Sequence, residues 1–90
     1  SIPKNNKKEL SNDEFSYAIK VADFYYKKTA NLMIDRIKNE TSIKSIKLIK
    51  LSKTNYRVLL GPFNDINSLK ESFEKLSTLY FENLEIIKNV

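Results

Sequence analysis

The sequence predicts an α+β fold, a two-layer sandwich of order β-α-β-β-α-β in which a four-stranded antiparallel sheet carries both helices on one face. Three observations predict it. Apolar and polar residues alternate with period two over residues 17–22 and 56–60, as in half-buried strands. Apolar residues recur at three- and four-residue spacing over 27–39 and 66–77, as on one face of a helix. A length of 90 residues leaves room for one core, since two would each fall near the size that needs staples.

The first 14 residues hold one Pro, three Asn and no aromatic, with Ile2 and Leu10 as the only large apolar side chains. They read as a linker. Their three Lys are matched by three acids, so the net charge of +5 lies on residues 15–90. The chain opens on Ser, without a signal peptide or an apolar run of bilayer-spanning length. The expectation is therefore a domain, residues 15–90, tethered by residues 1–14 to an upstream region.

In the first strand Tyr17, Ile19 and Val21 share one face, and Ala18, Lys20 and Ala22 share the other. Phe24 is expected to pack under the first helix, whose apolar stripe is Ala30, Met33, Ile34 and Ile37. Residues 43–51, IKSIKLIKL, suit a short helix or a strand. Their Ile content and the tetrapeptide 52–55, able to close a hairpin, favour a strand with Ile46 and Leu48 on one side and Ser45, Lys47 and Ile49 on the other. Tyr56, Val58 and Leu60 then point inward and Arg57 and Leu59 outward, with Gly61 and Pro62 ending the strand. Asn64 or Asp65 caps the second helix, which presents Ile66, Leu69, Phe73 and Leu76 to the core. Residues 84–88 close the sheet with Leu84 and Ile86 inward. Right-handed crossovers set the first and third strands side by side at the centre.

Composition excludes whole classes of chemistry. The chain has no Cys, His or Trp. Disulfides, thiolate and imidazole metal sites and imidazole-dependent catalysis are all excluded, so no cofactor or metal is expected. A binding module remains, or an enzyme built on carboxylates alone; Asp23, Asp65, Glu82 and Glu85 show no cleft pattern that would split two pKa values. The abundance of Lys, Ile and Asn fits an AT-rich genome, so the position of a cation says more than the total.

One sheet face is left uncovered by helices. Alternation places Ala18, Lys20, Ala22, Ser45, Lys47, Ile49, Arg57, Leu59, Glu85 and Ile87 on it, a shallow platform of small and aliphatic residues with three cations. Tyr25 or Tyr26, where the first strand ends, either flanks this face as a stacking ring or staples the first helix.

The pattern Tyr-x-Ile-x-Val-x-x-Phe at 17–24, the helix containing Ala30, and the string YRVLLGPF at 56–63 followed by Asp65 and a second helix together resemble the SPOR (sporulation-related repeat) domain. The resemblance spans roughly residues 16–88, and Arg-Val-x-x-Gly-Pro-Phe is its most specific part. It implies a non-catalytic module, monomeric and without membrane contact of its own. Such a module binds peptidoglycan glycan strands stripped of stem peptides, on the periplasmic side of the bacterial envelope at the division septum. It also implies a parent such as a rare lipoprotein A-like protein with an upstream lytic transglycosylase, or a bitopic division protein. The expected glycan-binding residues are Lys20, Arg57, Leu59, Lys47, Ala18, Ala22, Asp23 and Tyr25, with Arg57 and Lys20 meeting carboxylate or acetamido oxygens. The family usually carries Gln, Gly and Ser where this chain has Lys20, Ala22 and Asp23, and Asp23 would repel a sugar carboxylate unless paired. The alternative is a nucleic-acid binder of the RNA-recognition-motif type, which shares this ferredoxin-like topology but needs exposed aromatics on its central strands. Tyr17 and Tyr56 fall on the core parity instead.

Overall fold

The computed structural model describes residues 15–88; the linker expected at 1–14 lies outside the described residues. Its elements run β1 (Tyr17–Phe24), α1 (Lys27–Glu40), β2 (Ile46–Ser52), β3 (Asn55–Phe63), α2 (Ile66–Ser77) and β4 (Glu85–Lys88). All strand pairs are antiparallel, in the order β2-β3-β1-β4. The fold is thus the expected α+β sandwich, with β1 and β3 central. Ile19, Val21, Val58 and Leu60 from those strands form one core with Ala30, Ile34 and Ile37 of α1 and Leu69 and Leu76 of α2. Both helices therefore cover the same face.

The helices form for local reasons. The α1 stripe buries Ala30, Ile34 and Ile37, and Thr41 closes its end by donating from Oγ1 to the Ile37 carbonyl at 2.8 Å. Asp65 caps α2 by accepting from the Ser68 backbone N–H at 2.8 Å and from the Ser68 hydroxyl at 3.0 Å, which satisfies one of the free donors of the first turn. Those hydrogen bonds, the backbone one first, hold the Asp65 carboxyl below its usual range.

Several expectations at the element ends are corrected. Gly61 and Pro62 do not end β3. The strand continues through a cis Gly61–Pro62 bond to Phe63, with a register irregularity there against β1. Gly61 has φ +118, and a Cβ on it would meet the Phe63 ring at 3.1 Å, so glycine is required. Ile66 and Ile86 are about half exposed rather than buried. Ile66 opens the first turn of α2, and Ile86 sits on a four-residue edge strand that the helices only partly cover.

Candidate functional site

The uncovered sheet face is built in rows. The register aligns Lys47, Leu59, Lys20 and Glu85 across all four strands, and Ile49, Arg57 and Asp23 across β2, β3 and β1. With strands about 4.8 Å apart, the first row spans about 14 Å.

A bulge places Asp23 in the second row. From Lys20 to Ala22 the chain advances two residues while β3 advances one, from Leu59 to Val58. Val21 and Ala22 consequently both pack toward the helices, and every later residue of β1 changes face. Ala22 is therefore not in the open-face rows where alternation placed it, though it lines the groove beside them. Asp23 stands there instead, directly opposite Arg57.

Arg57 forks onto Asp23, with Nε donating to Oδ1 at 2.7 Å and Nη2 to Oδ2 at 3.0 Å. Lys20 Nζ lies 3.8 Å from Asp23 Oδ2 and 3.6 Å from Glu85 Oε1. The hydrogen bond from Arg57, then the charges of Arg57 and Lys20, hold the Asp23 carboxyl below the usual range against the opposing effect of burial. Asp23 in turn raises the already high pKa of Arg57. Asp23 is thus paired, which removes the expected repulsion of an acidic sugar. It also means that Arg57 and Lys20 are not free charges: two cations and two carboxylates balance on this patch. Lys47 is exposed, and among the described residues it has no ion-pair partner.

Ala18 and Leu59 lie on the open face but are 1% and 5% exposed. Leu59 sits between Lys20 and Lys47 in its row, and Ala18 is paired beside Ile87. They form a floor under the long side chains rather than a bare platform. Tyr25 is 60% exposed and rests edge-on against Tyr26 at 4.7 Å; it does not line the groove beside the ion-paired patch.

That groove, about 500 Å³, runs beside the free half of β1, because β4 pairs only with Tyr17 to Lys20. It is lined by Lys20 to Asp23 of β1, Val21 and Ala22 included, by Glu85, and by Tyr80, Phe81, Glu82 and Asn83 of the α2–β4 loop. Arg36 pins this loop, donating from Nη2 to the Leu79 carbonyl at 3.2 Å and lying 5.0 Å over the Phe81 ring. Tyr80 has φ 66 and is 88% exposed. Glu85, Tyr80 and Phe81 were not singled out as site residues from sequence; an aromatic pair in the loop before the last strand was the available signal.

Chemically, the patch offers fixed donors and acceptors at near-neutral charge beside an exposed ring. That suits hydroxyl and acetamido groups. The Asp23 carboxyl is held downward, away from the range of a general acid near neutral pH. Among the described residues no group of three His, Cys, Asp or Glu is placed to hold a metal ion, and no helix is long and apolar enough to cross a membrane. Comparison with protein-family models, with curated proteins and with solved structures finds no match.

Proposed function

We propose that this domain is a non-catalytic peptidoglycan-binding module of the SPOR type, which recognises glycan strands stripped of their stem peptides and carries its parent protein to the division septum. One observation carries the reading: the string Arg57–Phe63 places its Arg at the centre of the open sheet face while Val58, Leu60 and Phe63 anchor it in the core. Stem peptides would collide with a flat face set between rows of long side chains, whereas bare sugars can lie along it. In this reading Arg57, Asp23, Lys20 and Glu85 hydrogen-bond sugar hydroxyl and acetamido groups as one network. Tyr80 stacks on a ring at the rim, and Lys47 meets a lactyl carboxylate.

The nucleic-acid alternative draws less support, because Tyr17 and Tyr56 pack against the core and β1 and β3 present no aromatic ring to the open face. The test is co-sedimentation with isolated sacculi before and after amidase treatment. Treatment is expected to increase retention severalfold, and Arg57→Ala to reverse most of the gain while the variant still melts cooperatively. Equal retention on treated and untreated sacculi sinks the reading.

A further inference from the structure

The net charge of this protein is concentrated in one place. Residues 41–64 contain Lys44, Lys47, Lys50, Lys53 and Arg57 and no acid, while the other 66 residues hold 11 cations and 11 acids. The whole excess of +5 therefore belongs to the β2–β3 hairpin and the segment leading into it. Arg57 is neutralised by Asp23. The four Lys are not: all are exposed, and among the described residues none takes part in an ion pair.

These four recur at every third residue: Lys47 and Lys50 lie on β2, an edge strand whose outer side has no neighbour in the sheet, Lys44 lies two residues before it and Lys53 in the turn that follows it. At about 3.3 Å per residue the step from Lys47 to Lys50 along the strand is about 10 Å. Lys47 belongs to the open-face row, and Lys50, three residues on, falls on the opposite parity, so the series straddles the free edge. Leu51, 46% exposed, adds an apolar contact within it. Lysines on an edge strand also discourage pairing with another sheet, but that task needs neither regular spacing nor the absence of every acid over 24 residues.

We propose that the β2 edge is a track for the carboxylates of an acidic glycan, continuing the sheet-face site through Lys47; the proposal rests on the glycan-binding reading above. A stripped strand carries one carboxylate on every second sugar, a linear and widely spaced pattern. Single ammonium groups on long stems about 10 Å apart, as at Lys47 and Lys50, suit that spacing. Nucleic acid presents its charges much more densely, about one per 1.7 Å in a duplex. A lipid surface is planar and favours a cluster rather than a file.

The experiment compares Lys47, Lys50 and Lys53 all changed to Gln with a control in which Lys27, Lys28 and Lys70, on the helices, are changed to Gln. Both lose the same charge from exposed positions, and thermal melts verify that both fold. Binding to amidase-treated sacculi is measured over a range of ionic strength. The hairpin variant should bind roughly three- to tenfold more weakly at low salt and lose most of its salt dependence, while the control stays near the parent. Amidating the carboxylates of the sacculi should reduce the parent to the level of the hairpin variant. Equal loss in the control, or parent-like binding by the hairpin variant, overturns the track and leaves the glycan reading standing. Failure of the unmodified protein to bind treated sacculi overturns both, and parallel retention on anionic vesicles or an RNA oligonucleotide would then identify the partner class.

Discussion

Asp23 is the residue on which the chemistry of the open face turns. Its carboxylate accepts both arms of the Arg57 fork and lies near Lys20, so it stabilises the sheet centre in its ionised form. Its pKa, like that of Asp65, is depressed on folding. A depressed carboxyl contributes stability that is fully present above its unfolded value, about 3.9, and is lost as pH falls through the folded value. The melting temperature should therefore hold from pH 7 to about pH 5 and fall below about pH 4. Asp23→Asn should lower stability at neutral pH and shallow that acid decline; a decline as steep as the parent's would assign it to other carboxyls. Much at this scale was legible: Lys20, Arg57 and Leu59 lie on the face that alternation assigned. Ala22 was not, because period-two counting assumes an unbroken ladder. The doublet Val21–Ala22 between Lys20 and Asp23 was the sign that it breaks, since two adjacent apolar residues in an amphipathic strand satisfy a bulge as well as a slip.

Among the elements, β3 depends most on a single position. Gly61 occupies a backbone conformation that side chains resist, with the Phe63 ring closing the space where a Cβ would stand. Gly61→Ala should destabilise by about 2 kcal/mol or more, measured by urea unfolding, because the backbone strain and the ring contact act together. A cost within about 0.5 kcal/mol would mean that the ring moves aside freely and the strand tolerates the change. Helix cores and strand order followed from periodicity. The ends did not: Gly-Pro reads locally as a stop, yet the backbone resumes pairing with Phe63 opposite Tyr17. The α2–β4 loop was silent for a different reason. What shapes it is Arg36, 43 residues before the Leu79 carbonyl it reaches, and no local pattern reports such a contact.

At the scale of the whole molecule, the sheet separates two kinds of burial. Leu60 is 0% exposed among Ile19, Ile46 and the helices, in a core that β1, β2, β3 and both helices build. Leu59, one residue earlier, is 5% exposed but lies outside that core, on the helix-free face between Lys20 and Lys47 in register. Leu60→Ala should cost about 2–5 kcal/mol, and Leu59→Ala clearly less, since flexible stems can settle into the gap while packed helices cannot. Chemical denaturation of the two variants checks the order, and equal costs would show the open face to be as rigid as the core. The two faces meet along β1, where one extra residue at Val21 decides which side chains belong to which. The strand is consequently more exposed to changes of length than of identity. A single-residue insertion after Ala22 would leave the composition almost untouched, yet continued alternation would turn Asp23 toward the helices and Phe24 toward water. Relatives of this chain should thus lack insertions between Ala22 and Asp23, whereas losing one of Val21 and Ala22 would close the bulge with Asp23 still facing Arg57.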